Sequence, residues 1–234
     1  MKFRSGSLVL AAALSALMAV PAAAQKEKPE VRPLEVERVQ SSQSFPYAID
    51  ADQSHDPQNV LLLDLSNGGR VAIRLMPQWA PHHVERIKQL VGEGFYNGII
   101  FHRVIDGFMA QTGDPTGTGQ GGSKLPDLAA EFNDAPHVRG TVSMARTDEP
   151  NSANSQFFIV FYPRMGLDHK YTAFGRVIAG MDTVDAIQRG EPPANPTRIL
   201  QASFASDNKP QVLPAAPAAA PAITADMLRN SKSN

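Results

Sequence analysis

The chain has 234 residues and a formal net charge of −1, which fits one large domain with tails or at most two small domains. The near-neutral charge argues against a nucleic-acid partner that is held mainly through phosphate contacts. No cysteine is present, which excludes disulfides, a cysteine nucleophile and cysteine–metal sites, so stability must come from packing.

Residues 1–24 have the pattern of a signal peptide. Lys2 and Arg4 give a positive start, residues 8–20 are apolar, and the Ala-Ala-Ala run at 22–24 forms an A-x-A cleavage pattern. The apolar stretch is short for a membrane span. We therefore favour export to the periplasm over secretion or a retained anchor, with no stable membrane insertion after the signal is removed.

Two segments of biased composition flank a predicted domain at residues 59–206. Residues 25–58 indicate a polar linker with some order near its end, where we expect Phe45, Pro46 and Tyr47 to pack on the domain. Residues 207–234 are rich in Ala and Pro, a composition that forms no core and predicts a disordered tail.

The domain is predicted to be mainly β, with eight short strands and two helices. Turn signals such as Asn67-Gly68 and Asp106-Gly107 separate apolar runs, and the predicted strands are 60–65, 70–76, 99–105, 108–113, 140–145, 156–161, 173–179 and 198–204. One helix is expected over 81–91, and a second is expected to begin at a capping Asp182 and end near Gly190. Many strands and few helices favour an eight-stranded antiparallel closed barrel, capped by the two helices, because closure removes exposed edges.

The segment FHRVIDGFMAQTGD at residues 101–114 contains several of the polar side chains that are candidates for a functional site. Strand alternation puts Arg103 between two large apolar residues on one face, a pattern that by itself fits a solvated arginine on the outside of a barrel. Gln111 on the next strand, with Gln156 and Phe158 downstream, adds two amides and an aromatic ring to an apolar face. No nucleophile stands beside a base in this set.

This segment resembles the F-H-R-x-I-x-G-F-M-x-Q-x-G-D signature of the cyclophilin family of peptidyl-prolyl cis-trans isomerases, of the bacterial exported type. The motifs GTG at 117–119, MA at 144–145, SQFFI at 155–159, LD at 167–168 and FG at 174–175 follow in the family's order. The similarity spans about residues 59–205. It implies the family's barrel fold and rotation of X-Pro bonds in unfolded or partly folded exported proteins, by a monomer.

The resemblance also assigns roles to single residues. It implies Arg103 as the catalytic arginine, with Phe108 and Gln111 as further catalytic residues. The residues implied in substrate binding are His102, Met109, Ala145, Arg146, Gln156, Phe158, Leu167 and Tyr171. Alternation alone would put Phe108 on the face opposite Met109, so its role in the proline pocket comes from the resemblance.

Three positions depart from the pattern of other family members. Arg146 stands where many members have asparagine, and Gly166 stands where some members have a tryptophan. Tyr171 stands where many eukaryotic members have histidine, and bacterial exported members are similar to this chain there. Because the tryptophan helps to bind cyclosporin in some members, Gly166 predicts weak cyclosporin binding. The departures bear on peptide preference and drug sensitivity and not on the fold.

No metal or cofactor is expected. The adjacent His82 and His83 lack the spacing of a helical zinc pair and indicate a solvated helix face, while the glycine-rich segment 117–122 has no helix after it and is interpreted as a loop. Two alternatives to an isomerase stay open: a non-catalytic chaperone that binds proline peptides on the same fold, and a scaffold whose Pro-rich tail recruits a partner.

Overall fold

A computed structural model describes residues 48–215 of the chain. The predicted signal peptide, the expected packing of Phe45, Pro46 and Tyr47, and the tail from residue 216 onward lie outside the described residues. The domain boundaries therefore stay predictions.

Eight antiparallel strands form one curled sheet. In chain order they are β1 (Val60–Leu65), β2 (Arg70–Leu75), β3 (Arg103–Ile105), β4 (Met109–Thr112), β5 (Thr141–Met144), β6 (Phe157–Val160), β7 (Ala173–Ala179) and β8 (Ile199–Phe204). They are hydrogen-bonded in the order β3-β4-β6-β5-β7-β2-β1-β8. All eight predicted strands are present, most of them shorter by a few residues.

The expected closed barrel is wrong, because no ladder joins the two outer strands β3 and β8. Single bridges link Ile100 with Arg198 and Val104 with Gly190 instead. β3 is only three residues long, and its free side bonds to Gly190 in the loop between α2 and β8, while the residues before β3 bond to Thr197 and Ile199. The observed architecture is an open, eight-stranded sheet with two helices.

The first helix, α1 (Pro81–Gly92), confirms the predicted apolar stripe, since Val84, Ile87 and Leu90 are buried in the main core. The expectation of a solvated histidine pair is wrong for His83, whose side chain is fully buried. Its Nδ1 lies 2.6 Å from Glu131 Oε2, and the Nδ1 of His82 lies 2.7 Å from Oε1 of the same carboxylate. Glu131 thereby fixes a loop to the start of the helix.

The second helix, α2 (Met181–Asp185), has only five residues, which is shorter than expected. Asp182 lies inside its first turn, and the capping position belongs to Gly180, so the predicted Asp182 cap is wrong. Gly180 has φ +78°, a left-handed conformation that glycine adopts without steric cost. Among the described residues, no helix is long and apolar enough to cross a membrane.

Residues at both ends of the described chain are tied to the sheet. The buried guanidinium of Arg74 donates to the carbonyl oxygens of Asp50, Asp52, His55 and Asp56, at distances of 2.6 to 3.1 Å. At the other end, the Val212 N–H donates to a carboxylate oxygen of Asp64 over 2.8 Å. The sheet core therefore extends its contacts a few residues into both flanking segments.

Candidate active site

An apolar depression of about 110 Å³ lies on the β3-β4-β6 part of the sheet. Its lining combines four apolar residues with two arginines, a glutamine and a tyrosine: Arg103, Phe108, Met109, Gln111, Ala145, Arg146, Phe158 and Tyr171. The structure thus brings together eight of the eleven site residues predicted from the sequence. The volume is several times the roughly 30 Å³ of a water molecule, so a small ring fits.

Strand register explains why these side chains meet. Arg103 pairs with Gln111 across β3 and β4, and Gln111 pairs with Phe158 across β4 and β6. Directly paired residues of antiparallel strands point to the same face, so a guanidinium, an amide and an aromatic ring stand in one row.

Phe108 reaches the same depression as Met109 because it lies in the turn before β4. Its N–H donates to the Ile105 carbonyl over 3.1 Å, and its own carbonyl accepts from the Phe161 N–H over 2.8 Å. Strand alternation does not apply to a turn residue, which removes the conflict between the alternation pattern and the pocket role. The guanidinium of Arg164 lies 5.5 Å from the centre of the Phe108 ring.

The floor and walls of the depression are packed aromatic and aliphatic side chains. Met109 and Phe158 are buried, and Leu167 packs against their cluster from a short 3₁₀ helix, Met165–Leu167. The Tyr171 ring meets the Phe158 ring edge to face, with centroids 5.7 Å apart. The floor beneath an occupant is therefore apolar, while Arg103, Gln111 and Arg146 add polar groups around it.

A second, larger cavity of about 580 Å³ adjoins the depression and shares Gln111, Ala145, Arg146 and Tyr171 with it. Arg146 connects its two sides. The guanidinium donates to the Lys170 and Thr147 carbonyls and lies 4.7 Å from the centre of the Tyr171 ring. The arginine that departs from the family pattern thus holds two loops together at the rim.

The two predicted glutamines form a hydrogen-bonded pair. The Gln111 amide donates to Gln156 Oε1 over 2.8 Å, and the Gln156 amide donates to the carbonyls of Gly119 and Gly121. The glycine-rich loop therefore orients Gln156, which in turn orients Gln111. This leaves the carbonyl oxygen of Gln111 free to accept a donor from a bound chain.

Asp114 organises that loop. Its carboxylate accepts from the backbone N–H groups of Thr116, Thr118 and Gly119, at 2.6 to 3.0 Å. Burial by itself would raise the pKa of Asp114, but hydrogen bonds from Thr116 and Gly119 outweigh it and lower the pKa to about 2. A side chain on Gly121 would lie 2.2 Å from the same carboxylate, so glycine is required there.

His102 lines neither cavity. Its side chain is buried behind Arg103, as strand alternation predicts, and burial lowers its pKa, so the ring is neutral near pH 7. Of the predicted site residues, His102 and Leu167 support the wall of the site from behind or beside it, and the rest line it.

A further group, His137, has partners that the sequence did not indicate. Its Nδ1 lies 2.8 Å from Asp168 Oδ1 and its Nε2 lies 3.1 Å from Ser143 Oγ, while its ring stacks on Phe158. Burial lowers the pKa of His137 against the opposing effect of Asp168. Ser143 is fully buried, so this arrangement supports the pocket wall and offers no accessible nucleophile.

Residues 48–215 contain no group of three or more His, Cys, Asp or Glu side chains that could hold a metal ion. The site combines an apolar surface on which a small ring can pack with a neighbouring guanidinium and two side-chain amides. Such a site binds and polarises an amide without a covalent step.

Comparison with known proteins agrees with this chemistry. The family described as cyclophilin-type peptidyl-prolyl cis-trans isomerase/CLD matches residues 61–204. A protein of Brucella suis named "Probable peptidyl-prolyl cis-trans isomerase" is 48% identical over 178 residues, covering 69% of this chain and 90% of the relative. The mouse "Peptidyl-prolyl cis-trans isomerase-like 3" is 44% identical over 127 residues, covering 52% and 77%.

Solved structures give the same result. The cyclophilin AquaCyp293 from Hirschia baltica matches with a TM-score of 0.61 at 32% identity, covering 66% of this chain and 77% of that one. A Cryptosporidium parvum cyclophilin crystallised in the presence of the dipeptide Ala-Pro matches with a TM-score of 0.58 at 29% identity, covering 62% and 98%. The family match over most of the described domain, together with these relatives, shows that this chain belongs to the cyclophilin-type peptidyl-prolyl cis-trans isomerases.

Proposed function

We propose that this protein accelerates rotation about X-Pro bonds in unfolded or partly folded exported proteins, and so assists their folding in the periplasm as a monomer. The observation that carries the proposal is the position of Arg103, which lines the same small depression as Phe108, Met109 and Phe158. The export pattern of residues 1–24 supports the periplasmic location.

The barrier to this reaction comes from amide resonance. Rotation about a peptide bond costs roughly 18–20 kcal/mol, and uncatalysed exchange at X-Pro bonds takes roughly tens to hundreds of seconds. In the twisted state the nitrogen lone pair is no longer delocalised, so the nitrogen becomes a better hydrogen-bond acceptor. A donor aimed at that nitrogen stabilises the transition state more than the planar ground state.

Arg103 is suited to be that donor. A guanidinium stays protonated at any working pH and presents fixed donors, so it acts by electrostatic stabilisation and not as a general acid. The terminal amino groups of Arg103 make no hydrogen bond to another residue of the described chain, which keeps them available to a substrate. Phe108, Met109 and Phe158 would hold the pyrrolidine ring while the preceding carbonyl rotates.

The polar residues would hold the substrate backbone. Gln111 has a free carbonyl oxygen beside Arg103, and Gln156 holds its amide in place. Ala145, Arg146 and Tyr171 stand where the depression meets the larger cavity, which is the place for the residue before proline. His102 and Leu167 would act by supporting the wall.

The test is a proline-isomerisation assay with an X-Pro peptide on the chain without residues 1–24. We expect clear turnover, and a loss of roughly 10²–10³-fold in kcat/KM for Arg103→Ala, by analogy with loss of one preorganised donor. Circular dichroism should show that the variant is folded. Near-normal activity of a folded Arg103→Ala would remove this residue from the mechanism.

The two alternative functions are separable in the same system. A binder without catalysis would hold the X-Pro peptide with measurable affinity but leave its exchange rate unchanged. A scaffold would lose a captured partner when residues 208–234 are deleted, with isomerisation intact. Fractionation of cells that express the full chain, or the chain without residues 1–24, tests the periplasmic location directly.

A further inference from the structure

Glu191 meets the proposed catalytic arginine because of backbone pairing. Val104 and Gly190 form an antiparallel bridge, in which each N–H donates to the carbonyl of the other, over 2.8 and 2.9 Å. In such a pair the flanking residues also stand opposite each other, so Arg103 faces Glu191 on the side of the strand away from buried Val104. The ion pair therefore follows from the register and not from chance contact of two long side chains.

The contact uses one particular nitrogen of the guanidinium. Arg103 Nε donates to Glu191 Oε2 over 2.8 Å, and the side chains of the pair are 43% and 51% exposed. This bond at Nε leaves both terminal amino groups of Arg103 unengaged by the other residues that the structure describes. A guanidinium is planar, so fixing Nε also fixes the plane in which the remaining donors lie.

The loop that carries Glu191 is itself constrained. Gly190 has φ +142°, and a side chain there would place its first carbon 2.5 Å from the Pro193 Cα. The backbone is therefore tightly turned beside the bridge to Val104. This turn fixes the position from which the Glu191 side chain extends, although Glu191 lies 88 residues from Arg103 in sequence.

From this geometry we propose that Glu191 is a positioning residue for the isomerisation: it holds Arg103 through Nε and so directs the two terminal amino groups toward the depression that binds proline. The inference rests on the proposed catalytic role of Arg103. An arginine side chain has several rotatable bonds, and a donor that must meet a nitrogen present only in the twisted amide gains from being held in advance.

The effect of Glu191 could act through the hydrogen bond or through its charge, and two substitutions separate them. Glu191→Ala removes both, whereas Glu191→Gln keeps an oxygen that accepts from Nε and removes only the charge. We expect Glu191→Ala to lower kcat about tenfold with KM changed less than twofold, because orientation and not binding is lost. Glu191→Gln should recover most of kcat.

A matched control is the ion pair between Arg139 and Asp185, whose side chains are 42% and 40% exposed. The hydrogen bonds of these two side chains include none of the residues that line the depression. Asp185→Ala therefore removes an equally exposed carboxylate and should leave both kcat and KM within twofold of the unchanged protein.

A second readout does not depend on turnover. In ¹H–¹⁵N spectra that detect arginine Nε–H groups, the Arg103 signal, assigned by its loss in Arg103→Ala, should move and exchange faster with water in Glu191→Ala, while it stays close to its original position in Glu191→Gln.

An unchanged Arg103 signal in Glu191→Ala, or a kcat within twofold of the unchanged protein, would overturn the inference. A Glu191→Gln variant as slow as Glu191→Ala would overturn the hydrogen-bond role. If the unchanged protein showed no isomerisation at all, the proposed function would fail, and the spectra would still decide whether Glu191 holds Arg103.

Discussion

Two arginine–carboxylate pairs lie in different parts of the sheet and differ in how far the protein encloses them. In the β1–β2 hairpin, Arg70 donates from Nε and from a terminal nitrogen to Asp64, whose side chain is 1% exposed. Beside β3, Arg103 donates to Glu191 from Nε alone, and both side chains are about half exposed. The first carboxylate is enclosed by the protein, whereas the second pair leaves the terminal nitrogens of Arg103, a residue that lines the depression, without a hydrogen bond to another described residue.

The partners around each pair make the same distinction. The Asp64 carboxylate also accepts from the Gln201 amide and from the Val212 N–H, so four donors from three parts of the chain converge on it. In the described part of the chain, the Glu191 carboxylate accepts a hydrogen bond from Arg103 Nε alone. An ion pair whose hydrogen-bonding groups are all satisfied within the protein stabilises the fold. An arginine that keeps unused N–H donors beside a depression is available for binding and catalysis.

The largest expected effect tests the enclosed pair. Asp64→Ala should lower the free energy of unfolding by about 3 kcal/mol, because it removes the buried carboxylate that accepts from the Arg70 guanidinium, the Gln201 amide and the Val212 N–H. Urea titration followed by circular dichroism measures this change. Activity per folded molecule should be unaffected, and a large loss of kcat/KM in folded Asp64→Ala would break the division between a structural and a functional pair.

The next effect concerns the open pair. Arg103→Lys keeps the positive charge but loses the planar fork, and we expect about 100-fold lower kcat/KM with unchanged stability. Arg70→Lys is the matched change in the enclosed pair, and it should lower the urea midpoint while leaving kcat/KM unchanged. Equal activity of Arg103→Lys and the unchanged protein would mean that charge alone suffices.

A smaller effect sharpens the comparison on the active-site side, where Asp114 is a second enclosed carboxylate. Its folded pKa of about 2 lies below the ordinary value of 3.8, so its contribution to stability is complete above about pH 4 and is lost as the pH falls toward 2. Asp114→Asn should remove about 2 kcal/mol of stability at pH 7 and less at pH 3. Urea titrations of both proteins at pH 7, 5 and 3 measure the difference, and a gap independent of pH would contradict this assignment.

The smallest expected effect concerns the rim of the proline depression. A side chain on Gly166 would meet no atom within 4 Å, so the position is open toward solvent and can take a large residue. Gly166→Trp should strengthen cyclosporin binding about tenfold by adding an aromatic wall, with stability nearly unchanged. Isothermal titration calorimetry with both proteins measures this. Tight binding by the unchanged protein would show that the aromatic wall is dispensable here.

The sequence determined the secondary structure well because those signals are local. Glycine turns and alternating apolar residues placed all eight strands, and the bounds of β1 and β7 were predicted without error. The motifs around FHRVIDGFMAQTGD also identified most of the residues that line the depression. Periodicity failed at Phe108, since a turn residue does not follow the alternation of a strand.

Only the tertiary structure decided which distant residues meet. The open edge between β3 and β8, the partners of His137 and the contact between Arg103 and Glu191 all depend on how separate segments are brought into register. Glu191 lies in the loop segment RGEPP, which has no periodicity and no motif that would mark a partner 88 residues away. Secondary-structure propensity and hydrophobic patterning depend on neighbouring residues. A contact between two residues that are distant in sequence depends on every turn and bulge in the chain between them.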